Sequence, residues 1–266
     1  PPLVEASMGF KATPEELGGA KMHTAQSGVA HNLAATEKEA FEQARYFLSL
    51  LPQRAGEPLP VLDHGQEDNS QDALLDLIPP AINQGYDMSK VIELLADERS
   101  VFEMQPSYGR SLIVALARVA GMPCLFLANQ PIFQAGAITT EAAEKAAHFI
   151  EVADAFGLPM ISLVDNPGVM PGPDAERSGV LRAAGKMFAA QRRFQGQKIV
   201  VTLRKAFGFG SSVMGMNPWD GQAISLALPT VSLGGVPAIG GAQAARASRE
   251  EAAQMQEVQS GAWVPA

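Results

Sequence analysis

Hydrophobic positions change their spacing several times along the chain. Over 36–51 they recur every three or four residues, placing Phe41, Ala44, Phe47, Leu48 and Leu51 on one face. Thr36 with Glu39 three residues on is a start signal, and Pro52 a stop, so an amphipathic helix is predicted. Upstream, Pro14 and Gly18-Gly19 bracket a short helical turn. Residues 52–85 lose periodicity and fill with Pro, Gly, Asp and Gln, the texture of a linker. A short helix over 88–96 follows, with Val91, Ile92 and Leu95 inward.

From Ser111 onward, continuous apolar runs alternate with helical stretches. Strands are predicted at 112–117 and 124–128, with a turn over 118–121. Thr139 or Thr140 caps a helix that runs to about Phe156 and closes at Gly157. A buried strand at 160–164 ends at Asp165, and the loop Asn166-Pro167-Gly168-Val169-Met170-Pro171-Gly172-Pro173 leads to a helix over 175–193. Further strands are predicted at 199–203, 224–228 and 231–233, and an alanine-rich helix over 238–259. Buried strands separated by helices argue for an α/β domain.

Composition narrows the function. Twenty basic residues against twenty-eight acidic leave a net charge of −8, with no basic cluster, so nucleic acid is not an expected partner. The one cysteine, Cys124, sits in an apolar run; it excludes an internal disulfide framework, fits a cytoplasmic setting and reads as a buried thiol. The longest apolar stretch holds Arg118 and Pro123, so no membrane span is expected. The chain opens on Pro1 without a methionine, which reads as a fragment or processed product. His23 and His31 lack neighbours at zinc-ligand spacing, and no metal is expected. Met214, Met216 and Trp219 read as core or subunit contacts rather than cofactor contacts.

Two loops, 165–173 and 207–212, leave the carboxyl ends of strands and enter helices, the edge where open α/β sheets bind ligands. In Phe207-Gly208-Phe209-Gly210 the glycines allow a sharp bend and close approach, and Ser211-Ser212 suits a helix start. A strand ending in such a turn presents unpaired N–H groups, the recipe for an oxyanion hole. A plain strand-to-helix connection accounts for the same residues.

Several motifs occur in one order: Asn129-Gln130-Pro131, Asp154-Ala155-Phe156, Leu163-Val164-Asp165, Pro167-Gly168 with Pro171-Gly172, Gly185-Lys186, and Arg204-Lys205-Ala206-Phe207-Gly208. Glu15-Glu16-Leu17-Gly18-Gly19-Ala20, His23 and Ser27-Gly28-Val29-Ala30-His31 precede them. Together they resemble the C-terminal half of the carboxyltransferase β subunit of biotin-dependent acyl-CoA carboxylases. The resemblance implies a crotonase-like spiral of ββα units. It implies that 1–51 is the tail of an N-terminal domain plus a connecting helix, 52–85 a linker and 86–266 the biotin-side domain. It implies carboxyl transfer from biotin N1′ to the α-carbon of an acyl-CoA, with a biotin carboxylase and biotin carrier as partners and a homo-oligomeric assembly. The backbone N–H groups of Phe209 and Gly210 would form the oxyanion hole, and Gly208, Ser211, Ser212, Asp165, Asn166, Pro167 and Gly168 would contact substrate. The thioester's own oxyanion hole would lie in the other domain, leaving this piece inactive by itself. Members commonly read Tyr-Gly-Gly-Ala where this chain has Phe207-Gly208-Phe209-Gly210, and valine where it has Asn166. Ser212 stands where an acidic residue is frequent. A decarboxylase running the transfer in reverse, and a non-catalytic assembly domain of the same fold, are the alternative readings.

Overall fold

The alternation within the apolar runs resolves into a sheet whose central strands are buried on both faces. In a computed structural model, which describes residues 1–54, 56–63, 73–216, 221 and 223–260, the strands are β1 (Phe102–Met104), β2 (Leu112–Val119), β3 (Met122–Asn129), β4 (Met160–Asn166), β5 (Lys198–Phe207), β6 (Ile224–Ala227) and β7 (Ser232–Gly234). Their order is β1-β2-β3-β4-β5-β6, with β7 pairing the far end of β5. The pairs β1–β2 and β2–β3 are antiparallel; from β3 to β6 the sheet is parallel. The β2–β3 turn is the two residues Ala120 and Gly121, both at positive φ, the geometry that suits a tight hairpin. Gly121 is required there, because a Cβ would stand 2.0 Å from the Leu62 carbonyl oxygen.

The helices are α1 (Pro2–Met8), α2 (Pro14–Gly18), α3 (Ala20–Ala25), α4 (Glu37–Ser49), α5 (Ala73–Leu77), α6 (Met88–Leu95), α7 (Thr140–Phe156), α8 (Pro173–Ser178), α9 (Val180–Arg193), α10 (Gly208–Val213), α11 (Ala238–Ala244) and α12 (Arg249–Val258). Leu112, Val114 and Leu116, Leu125 and Leu127, and Val164 and Val200 share a core with α7 and α9. The residues between them, including Ile113, Ala115, Phe126 and Leu203, pack on the other face with Met88, Val91 and Ile92 of α6. A one-residue shift would exchange the two sets, so register is strongly specified. Small side chains on α7 and α9 (Ala142, Ala143, Ala146, Ala183, Ala184) are buried, which lets these helices sit close to the sheet and to each other.

Several expectations are corrected. The helix predicted over 175–193 is broken at Gly179, whose φ of 80° caps α8 and leads into α9. The predicted helix over 238–259 divides into α11 and α12 around Arg246, at φ 54°, with Ser248 capping the second. The expected apolar face of α4 is buried only toward its end: Phe41 is 54% and Leu48 60% exposed, Phe47 packs half-buried against the core, and full burial begins at Leu50 and Leu51 just past the helix. The linker over 52–85 contains α5, while 64–72 and Trp219 lie outside the described residues. Among the described residues no helix is long and apolar enough to cross a membrane, and no group of three His, Cys, Asp or Glu side chains could hold a metal.

Candidate functional site

The parallel strands β4 and β5 end side by side, and both candidate loops leave from there. Their pairing is regular through Val164↔Thr202, then shifts so that Asn166 faces Ala206. Such an irregularity re-aims the chain at a strand end. The loop after β4 is pinned from a second side: Ile138 donates its N–H to the Gly168 carbonyl at 3.0 Å and accepts from Met170 at 2.9 Å. Asn129, at the end of β3, accepts from the Asp165 N–H through Oδ1 at 3.1 Å and donates from Nδ2 to the Gly136 carbonyl at 2.9 Å. Asn129 and Ile138 had no assigned role in the sequence, although Asn129 opens the Asn-Gln-Pro motif. Their work is to hold backbone, which residue type alone does not reveal.

Asp165 does not line an open surface. Its side chain is fully buried, 2.8 Å from Arg204 Nε and Nη2 and 3.3 Å from Lys205 Nζ. The remaining guanidinium nitrogen, Nη1, donates to the carbonyls of Pro79, Ala81 and Gln84 at 2.7–3.1 Å. Tyr86 lies over the same guanidinium at 4.6 Å, and burial pushes its hydroxyl pKa upward. Burial pulls the Lys205 ammonium below its ordinary value, with the Asp165 charge opposing. The expected substrate contact at Asp165 is therefore revised. Its carboxylate is used in tying the 79–84 segment to the end of β5, and so is the positive charge of Arg204 and Lys205.

The other expected residues converge more closely. Helix α10 begins at Gly208, at φ 58°, so the N–H groups of Gly208, Phe209 and Gly210 precede its first i→i−4 bond. Among the described residues no loop carbonyl accepts from Phe209 or Gly210. Gly210 is buried against the first loop, and a Cβ there would stand 2.8 Å from the Gly168 Cα. Asn166 is fully buried, while Pro167, Gly168, Ser211 and Ser212 are half-buried. The Asn166 Nδ2 and Ser211 Oγ atoms are buried without a partner among the described residues. The Phe209 ring leans on Phe188 of α9, centroids 5.7 Å apart, and stays 42% exposed. Alongside, Met170, Pro171, Gly172 and Pro173 line a cavity of about 380 Å³ with Thr139 and Thr140. Phe207, Thr230 and Ser232 face another of about 540 Å³.

Residues 1–262 match the family model described as the carboxyl transferase domain. The chain belongs to this family. It is 40% identical over 244 residues to the biotin-dependent acetyl-/propionyl-coenzyme A carboxylase beta5 subunit of Mycobacterium leprae, covering 88% of this chain and 44% of that one. It is 37% identical over 209 residues to the methylmalonyl-CoA decarboxylase alpha subunit of Veillonella parvula, covering 78% and 41%. The chain thus spans about half the length of these curated relatives. Its coordinates match a structure of the transcarboxylase 12S hexamer with hydrolyzed methylmalonyl-coenzyme A bound, at a TM-score of 0.93 and 31% identity, over 99% of this carboxyl transferase chain and 52% of the other. The fold is the crotonase-like one expected, and the ββα unit is visible in β2, β3 and α7.

Proposed function

We propose that this chain supplies the biotin side of a carboxyltransferase that moves a carboxyl group between biotin and the α-carbon of an acyl-CoA. One observation carries the reading: the glycine turn 208–210 meets the 166–168 loop at the carboxyl edge of β4 and β5, with two N–H groups at the helix start. Gly208 and Gly210 let the turn pack tightly at this edge: a Cβ at 210 would strike the Asn166 amide, and one at 208 would stand 3.0 Å from the Gly235 carbonyl oxygen. When bound, carboxybiotin supplies the carboxyl group and a ureido oxygen on which negative charge grows as that group leaves. The Phe209 and Gly210 N–H groups face that charge as preorganised donors, each contributing about 3 kcal/mol to the barrier difference. Gly168 and Pro167 set the height of the turn. Ser211, Ser212 and the Met170–Pro173 wall flank the approach. No side-chain base from this chain is needed.

On this reading the thioester half of the site comes from outside residues 86–266, and the donor of biotin is a separate carrier. A homo-oligomer then completes the site, in a cytoplasmic enzyme. The full-length protein is expected to release carboxyl groups from malonyl-type thioesters only when free biotin is present. No biotin-dependent turnover with any short or medium acyl-CoA would overturn the reading. The similarity to a protein named as a decarboxylase supports a second direction, from acyl-CoA to biotin. Comparing transfer rates in both directions with the native carrier separates the two. An assembly domain without catalysis would show no heat of biotin binding in calorimetry on the full-length oligomer.

A further inference from the structure

Asn166 and Gly210, on the two loops at this edge of the sheet, meet in space. Asn166 is fully buried at the irregular end of β4. Its Oδ1 accepts from the Gly168 N–H at 2.8 Å, an Asx-type clamp that fixes the side chain from one end. The other end, Nδ2, has no partner among the described residues. It lies 2.4 Å, and Oδ1 2.9 Å, from the place where a Cβ on Gly210 would stand. The amide therefore fills the volume that any side chain at 210 would need. It has little room to yield, because Oδ1 is held and the Gly168 Cα closes the same space from 2.8 Å. A buried amide nitrogen without an acceptor is costly to keep, and an apolar residue of similar size would avoid the cost. Its presence under this turn is not explained by stability.

We propose that Asn166 is a positioning residue for the turn: its clamped amide sets where the Gly210 peptide, and the N–H on it, stands relative to Gly168. The inference rests on the reading of that N–H as a donor to developing charge and deepens it. Residues 166 and 210 then act as one unit. An amide at 166 requires glycine at 210, and a Cβ at 210 requires a slimmer side chain at 166. Asn166 works through the peptide it supports and needs no contact with substrate.

A double-mutant cycle on the full-length protein tests this, with kcat, KM for the thioester and melting temperature read for N166A, G210A and N166A/G210A in the biotin-dependent assay. Each single variant is expected to lose about 10- to 100-fold in kcat, the scale of a misplacement near 1 Å, with KM changed less than about twofold. The double variant is expected to recover to within about threefold of the wild type, because the methyl group added at position 210 takes the place the amide left. Additive losses, or single variants whose kcat per folded molecule is unchanged while melting falls, would overturn the proposal. Should G210A fail to fold, N166A against the double variant decides the same point. A wild type without turnover would overturn the functional reading and the positioning role together. Non-additive melting would then still report the steric interlock, so the two failures look different.

Discussion

Replacing Asp165 by asparagine removes one negative charge from beneath two buried cations. Arg204 is fully buried and Lys205 nearly so, and both point at this carboxylate from within 3.3 Å. Water cannot replace the lost charge, so the guanidinium and the ammonium are left desolvated and facing each other. Breaking a buried pair by removing one partner costs about 3–5 kcal/mol. For a domain of this size each kcal/mol moves the melting point by about 2–4 °C, so the expected fall is roughly 6–20 °C. Scanning calorimetry of the isolated chain at neutral pH measures it. A D165N variant that melts within about 2 °C of the wild type would refute this. It would mean that the pair is solvated in practice and does not anchor the 79–84 segment.

Two further predictions concern buried titratable groups. Lys145 on α7 is nearly fully buried and gives Nζ to the Tyr108 carbonyl at 2.7 Å; burial, opposed by the Glu103 charge, pulls its pKa down to about 8. The unfolded chain then binds more protons between about pH 8 and 10.4, so stability should rise with pH across that window. Urea midpoints measured at each pH should show the rise, and Lys145→Met should flatten it; an unchanged slope would exclude Lys145 as its source. Cys124 is 2% exposed and burial pushes its thiol up to about 12. Iodoacetamide at pH 8 should leave it unlabelled in the folded protein and label it in denaturant, whereas rapid native labelling would contradict the packing.

The core was legible because strand periodicity carries it. Leu112, Val114 and Leu116 alternate with Ile113 and Ala115, and the two sets face different helices. Caps were equally legible: Thr139 accepts from the Ala142 N–H, and Gly157 adopts the left-handed conformation that ends α7. What escaped were interruptions set by single backbone angles. Gly179 and Arg246 break helices whose residues on either side remain good helix formers. The short β1 gave no periodic signal because it is three residues long. Within the site, the glycine turn and the loop after Asp165 were visible as residue types. That Asp165 faces Arg204 rather than the loop surface was not, since one carboxylate at a strand end fits either role. The contact between Asn166 and Gly210 needed coordinates, because 44 residues separate them in the chain, the difference of their numbers.

In the proposed function a backbone hydrogen at residue 210 stabilises charge. Gly210→Pro is a poor probe of it: added ring atoms would strike the Asn166 amide, and proline disfavours the helical conformation of Phe209. An ester linkage, with glycolic acid in place of Gly210 in the full-length protein, removes that N–H and adds no atom in its surroundings. Biotin-dependent turnover is expected to fall by about 100- to 1,000-fold while the melting temperature stays within a few degrees. Turnover equal to that of the native amide, or lost only in step with folding, would contradict it.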